Sequence, residues 1–344
     1  MADRSQLSAP GSLQKTAGIT KSATSLTGEP LAELAAQHNL RPSAQRPGLF
    51  EYLGKLWQRR HFIMAYATAR NVSMYTDARL GQVWQVLTPL LNVAVYFLIF
   101  GVLFKANRGV EHYIAYLVIG VFIFTFTERS ILSGSRVMHN NLSLIRALQF
   151  PRAALPLAYV IVEFEQLILS MVVMAVIVLV SHEPLTWYWF LAIPVLLLQT
   201  LFNIGAGLII ARVGAELNDV SQLVPFLTRV WRYFCGVMYS IATLPATLPL
   251  WAKEVLQLNP AAVYISLMRF AVMETQRTNA PGAQPYNAMK CVEFHAKLIP
   301  QLQAYCHPEV TTTQLWEAGA AWALLALAIG VVYFWRAEAR YGRG

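Results

Sequence analysis

The sequence predicts an all-α membrane protein: six transmembrane helices, an N-terminal amphipathic helix in the membrane interface, and a re-entrant outer helical hairpin between spans five and six. Three observations carry this. Six apolar runs contain no Asp, Glu, Lys or Arg: Gly81–Phe104, Tyr113–Thr127, Gln166–His182, Pro184–Ala211, Tyr233–Ala252 and Ala318–Trp335. A helix crosses the hydrocarbon core with about 20 mostly apolar residues, and the second run reaches that length by continuing through Glu128 and Arg129 to Leu132. Charged residues make up only 13% of the chain and mean hydropathy is +0.44, whereas soluble domains carry about 25% charge. The cations are also unevenly placed, as the positive-inside rule requires of a membrane protein.

Lys55, Arg59, Arg60, Arg70 and Arg79 precede span one; Arg129, Arg136, Arg146 and Arg152 follow span two; Arg336, Arg340 and Arg343 end the chain. Only Lys105 and Arg108 lie between spans one and two, and the turn between three and four has no Lys or Arg. Both termini are therefore expected in the cytoplasm of a multi-pass plasma (inner) membrane protein. The net charge of +9 reads as this bias plus attraction to anionic membrane lipids, with no nucleic-acid partner.

In chain order, residues 1–48 are rich in Ser, Thr, Ala, Gln and Pro, lack a signal-peptide apolar region, and read as a disordered cytoplasmic tail. Residues 49–79 follow as the interfacial helix, with Leu49, Leu53, Leu56, Trp57, Ile63, Met64 and Ala67 near one face; the alternative for this amphipathic pattern is a soluble helix packed on a partner. Residues 80–344 form the transmembrane domain. Its spans are expected at 83–104, 113–132, 157–180, 187–211, 223–241 and 316–335. The loop 244–315 carries two short apolar segments, 248–258 and 261–275, which are too short to span comfortably and read as the re-entrant hairpin. A polar excursion at 276–313 follows. It contains Cys291 and Cys306, which an oxidising exterior permits to form a disulfide or to remain free thiols.

No catalytic or metal-binding signature is present: no HExxH, no GxSxG, no Walker A sequence and no DDxxD pair. Any energy source must sit on another polypeptide. Charges within spans are costly and carry a functional hypothesis by default. Glu163 and Glu165 lie in span three; Arg229 and Arg232 lie in span five, three residues apart and so near one helix face. They form either an interhelical ion-pair set, or, for the arginines, contacts to a phosphate of an anionic substrate. Tyr96, Phe97, Phe100 and Phe104 in span one, and Trp231, Phe234 and Tyr239 in span five, are either core and lipid-facing aromatics or the lining of a path for a sugar chain.

Four stretches occur in order that resemble segments of ABC-2 type permeases exporting polysaccharides: LGQVWQVLTPLLNVAVYFLIFGVLF (80–104), QFPRAALPLA (149–158), ARVGAELNDVSQLVPFL (211–227) and LNPAAVYISLMR (258–269). The resemblance covers about Phe50 to the C terminus. The group it is most similar to is the actinobacterial exporters of lipid-linked galactan for the cell wall, with O-antigen and teichoic-acid exporters as relatives. It implies a homodimer working with two copies of a separate ABC ATPase, which holds ATP and Mg; the chain itself carries no cofactor. It further implies that His139, Leu142, Ile145, Arg146 and Phe150 couple to the ATPase, that spans one and five line the channel, and that Trp251, Asn259, Pro260 and Tyr264 belong to an outer gate. The expected function is ATP-driven export of a lipid-diphosphate-linked polysaccharide. The alternatives are an ABC-2 permease for a drug or small lipid, and a membrane-bound transferase or scaffold of polysaccharide assembly. Asn218-Asp219 stands where the family usually has Arg-Asp, and the 276–313 excursion is long for the family.

Overall fold

In lipid a chain must satisfy its backbone hydrogen bonds internally, and a helix does so within one segment. The computed structural model follows this rule. It describes residues 48–74, 80–81, 83–103, 112–148, 150–217, 219–239, 241, 249–273 and 310–338, and every regular element among them is helical. All belong to one unit, 48–344. The tail expected at 1–48, apart from Gly48, lies outside the described residues, as do Phe104, Asn218, Cys291, Cys306 and almost all of the 276–313 excursion.

The helices are α1 (Leu49–Gln58), α2 (Arg60–Ser73), α3 (Val83–Tyr96), α4 (Tyr113–Asn140), α5 (Leu142–Ala147), α6 (Ala154–Val180), α7 (Ala192–Glu216), α8 (Val220–Phe234), α9 (Leu250–Leu258), α10 (Pro260–Val272) and α11 (Thr312–Ala337). A π-helical stretch, Phe97–Leu103, extends α3, and a 3-10 turn, Trp187–Leu191, leads into α7. Five segments are long and apolar enough to span a membrane: Val83–Leu103, Tyr113–Asn140, Ala154–Val180, Trp187–Glu216 and Thr312–Ala337. α9 and α10 meet at a 73° bend and make a sixth if counted together.

The expected fifth span, 223–241, takes a different form. α8 stops at Phe234, and Gly236 follows with φ 61°. That is the left-handed conformation of a glycine just past a helix end, which only a residue without Cβ adopts cheaply. The expected second span instead runs on to Asn140, because its polar end still packs: Gly134 lies against the Gly207 backbone and Ser135 against Gly214.

α4 is the hub. It packs against α3, α6, α7, α8 and α10, and residues Leu117–Phe124 are buried along the whole helix circumference. A helix apolar all round belongs in such a centre. α7 and α11 cross in close contact because both are glycine at the crossing. A Cβ on Gly205 would overlap the Ala326 backbone, and one on Gly330 would overlap the Gly205 backbone. Local signals set the ends. Thr311 and Gln314 form a reciprocal capping box at the start of α11. The Asn259 side chain accepts from Ala261 N–H at the start of α10, with Pro260 in the first turn.

The amphipathic segment is two helices broken at Arg59 rather than one. Tyr52, Ile63 and Ala67 are buried, while Phe50, Trp57 and Met64 are exposed. Its apolar residues thus divide between packing on the bundle and an outward stripe. α2 packs along α6, where Ile63 and Ala67 meet Ala154, Ala158 and Val162.

Candidate functional site

Two places concentrate polar chemistry, one between α3, α4 and α8 and one around α5.

At the first, Arg232 on α8 turns inward and forms an ion pair with Glu128 on α4. The two side chains are only 13% and 10% exposed. Its second terminal nitrogen donates to the Tyr96 hydroxyl on α3 at 2.5 Å, and its guanidinium lies 5.3 Å from the Phe124 ring centroid. Three helices therefore meet at one cation. One residue earlier, Trp231 packs edge-on against Phe124 at 5.7 Å and donates from Nε1 to the Asn259 side chain at 2.9 Å. Asn259 is the joint of the bent α9–α10 pair, so α8 is tied to that joint.

The segment after α8 is held by a second buried cation. Arg269 on α10 donates to the carbonyls of Gly236 at 2.9 Å, Val237 at 2.9 Å, and Tyr116 at 3.1 and 3.2 Å. It stacks 3.3 Å from the Tyr116 ring centroid. The tyrosines reinforce this: Tyr113 donates to the Met238 carbonyl at 2.7 Å and Tyr116 to that of Tyr239 at 3.1 Å. A helix that ends inside a membrane domain leaves carbonyls without helical donors, and Arg269 with two tyrosines supplies donors next to that end.

The aromatic candidates Tyr96, Phe97, Phe100, Trp231 and Tyr239 are half-buried and pack on the core beside this cluster. Phe234 is 52% exposed. With Leu223, Phe226, Leu227, Val230 and Tyr233 it makes an exposed apolar stripe along α8. Arg229 and Arg232 do not share an environment as expected from their spacing: Arg229 is exposed and Arg232 is inside. The expected ion-pair set also differs. Glu165 accepts from Asn71 at 2.8 Å and Thr68 at 3.3 Å on α2. Glu163 faces a small cavity of about 20 Å³ between α3, α4 and α6, near Arg129, which donates to Gln166 at 2.7 Å. The partner of Arg232 is Glu128, which the apolar run alone marked only as an extension of span two. Arg269 is a lone charge in an apolar helix, and Glu128 heads the Glu128-Arg129 pair that interrupts the second apolar run, which was the available signal for each.

Of the hairpin candidates, Trp251 is 68% exposed, and Asn259 and Pro260 form the joint. Tyr264 is buried and donates to the Gly319 carbonyl at 2.9 Å, docking α10 on α11. Among the described residues no three His, Cys, Asp or Glu side chains gather as a metal site.

At the other end of the bundle, α5 exposes His139 just before it, and Leu142 and Arg146 along it. Ile145 is buried in a cluster with Tyr52, Met138, Tyr159 and Ala337 and anchors α5 on the bundle. Phe150 stands 5.3 Å from the Phe62 ring of α2. The α4–α5 corner is braced by Asn141, which accepts from Tyr66 at 2.6 Å and donates to the Tyr159 hydroxyl at 2.9 Å and the Val137 carbonyl at 2.7 Å. Next to it, Tyr52 donates to Glu338 at 2.8 Å and accepts from Ala153 N–H, while Arg152 N–H donates to the other Glu338 oxygen at 2.9 Å. Burial pushes the Glu338 carboxyl above its usual range, with the hydrogen bonds from Arg152 and Tyr52 and the Arg152 charge pulling the other way.

Residues 62–273 match the family described as ABC-2 type transporter. The matched stretch contains Tyr96, Glu128, Arg232, Asn259, Arg269 and all of α5. The chain is similar to an O-antigen export system permease protein RfbA of Myxococcus xanthus, at 24% identity over 238 residues, 69% of this chain and 89% of that protein. Two Klebsiella pneumoniae proteins of the same name are 24% and 23% identical over 174 residues, 50% of this chain and 66% of theirs.

Proposed function

The chain belongs to the ABC-2 type transporter family, and from that premise we propose that it is the membrane subunit of an ATP-driven polysaccharide exporter. The substrate is a lipid-diphosphate-linked glycan, in the group of cell-wall galactans, moved from cytoplasm to exterior. The observation that carries this reading is the aromatic wall on α3 and α8 around one paired cation. Tyr96 and Trp231, with Tyr239 just past α8, offer flat faces that stack on the apolar faces of sugars without fixing one hydrogen-bond pattern, Phe234 adds an exposed ring on the outward stripe of α8, and Arg232 suits a phosphate. The permeases named for O-antigen export support a glycan over a small lipid or drug. The chain has no nucleotide-binding motif of its own, so the motor is a separate ABC ATPase carrying ATP and Mg, acting on a permease homodimer in the plasma membrane.

In this reading both termini and α5 face the cytoplasm, and the α9–α10 bend lies at the outer end. ATP binding pushes on α5 through His139, Leu142 and Arg146. The Asn141 and Ile145 contacts make α5, α4, α2 and α6 move as one body. Because α4 also contacts α3 and α8, the push moves these two helices apart.

Two variants test the assignment in a proteoliposome system containing the ATPase. Arg146→Glu is expected to leave ATP hydrolysis running while export falls by more than about tenfold, or about 1.4 kcal/mol of coupling; normal export would remove α5 from the contact. Arg229→Ala is expected to lower export several-fold with assembly intact, since its side chain is exposed. Loss of assembly would assign Arg229 to packing. The reading as a whole is tested by purifying the tagged chain in mild detergent. A stoichiometric ATPase stimulated by lipid-linked glycan is expected, and a homomer without ATPase would overturn it.

A further inference from the structure

We infer that Glu128 is an exchangeable counter-ion: it occupies Arg232 until the diphosphate of the substrate displaces it. The inference rests on the reading above, that the substrate carries a lipid-linked diphosphate.

The pair is placed for exchange. Glu128 and Arg232 sit on different helices, α4 and α8, so the ion pair breaks if these helices separate. It is nearly buried, yet α8 carries the exposed Arg229 one turn before it, giving an anion a first cation at the surface and a second one turn further in. Arg232 also has unused capacity. Its two terminal nitrogens serve Glu128 and Tyr96, but its buried Nε–H has no acceptor among the described residues. A guanidinium presents its donors as a fork, and phosphate oxygens match that fork. Tyr96 and the Phe124 face hold the guanidinium plane in place whichever anion it meets.

The other carboxylates nearby are committed or face other cations. Glu165 is held by α2, and Glu163 lies beside Arg129 in the cavity between α3, α4 and α6. Glu128 therefore neutralises Arg232 while the path is empty. An arginine left alone in low dielectric is strongly unfavourable and would take any anion. A carboxylate already in contact raises the threshold: chloride or a single carboxylate does not gain by replacing it, whereas a diphosphate brings more than one charge and more acceptors. Glu128 thus selects for a polyanion at a site where Arg232 alone would accept many anions.

The test is equilibrium binding of a polyprenyl diphosphate to the full chain in nanodiscs, with the polyprenyl alcohol as control. Glu128→Gln, which removes the competing charge and keeps the shape, is expected to bind the diphosphate about tenfold more tightly than wild type. Glu128→Asp, which keeps the charge in the fold but shortens its reach, is expected to tighten binding about threefold, and it stands in if the glutamine variant does not assemble. The double variant Glu128→Gln with Arg232→Gln leaves no unpaired charge and is expected to bind the diphosphate no better than the alcohol. If the double variant loses binding but neither single variant tightens it, Glu128 is a structural partner only and the inference fails while the phosphate role of Arg232 stands. If the double variant binds like wild type, Arg232 does not meet the phosphate, and the inference fails together with that role.

Discussion

Replacing Arg269 by leucine is expected to destabilise the membrane domain by about 3–5 kcal/mol, because it removes the donors of two buried carbonyls past the end of α8 and, at the helical Tyr116 carbonyl, the tie to α4. Gly236, Val237 and Tyr116 all accept from this one guanidinium. In water such carbonyls would find solvent; inside a membrane domain they do not. Arg269→Lys is expected to recover a minority of the loss, since an ammonium on a single nitrogen does not span carbonyls on both α4 and the segment after α8. A thermal scan with size-exclusion elution in detergent checks this. Wild-type melting of Arg269→Leu would show that the carbonyls have other donors and that the guanidinium is not the clamp.

Gly205→Leu is expected to separate α7 from α11 and to prevent normal assembly, at a cost above about 3 kcal/mol. The added Cβ would overlap the Ala326 main chain, which cannot turn aside as a side chain can. Gly330→Leu is expected to act alike, since its Cβ would meet the Gly205 backbone. Gly54 on α1 is the internal control. Nothing lies within 4 Å of its added Cβ, so Gly54→Ala is expected to be neutral or to gain up to about 1 kcal/mol of helix stability. The same melting assay on the three variants checks the set. A normal melt for either leucine variant would mean that the crossing can open without consequence.

The residues explain unevenly what they encode. The apolar runs place five helical segments, since the need to bury backbone polar groups in lipid acts on each run separately. Asn259-Pro260 places the start of α10, and Thr311 with Gln314 that of α11; these are local signals acting within a few residues. Gly236 carried a stop signal for α8 of the same kind, although the run Tyr233–Ala252 reads as continuous when only polarity is considered. For α1 and α2 the amphipathic pattern is present, but it does not say which apolar residues pack on the bundle.

The candidate site was legible as a set of residue types and not as a set of partners. Tyr96, Trp231 and Arg232 were recognisable from span and charge. Glu128 lies 104 positions from Arg232 in the chain, and Arg269 lies 153 positions from Tyr116. Spacing along one helix determines which residues share a face, so Arg229 and Arg232 looked alike. Which of them turns inward depends on how α8 is rotated against α4. Amino-acid order alone therefore places five helical segments long and apolar enough to span a membrane, and settles where several helices begin and which charges fall in apolar runs, because each follows from local polarity and backbone geometry. Which charge meets which, and that Ile145 is buried while Arg146 is exposed, depends on helix rotation and depth. Those are set where glycines such as Gly205 and Gly330 let main chains touch, a property of pairs of distant segments that neither segment carries alone.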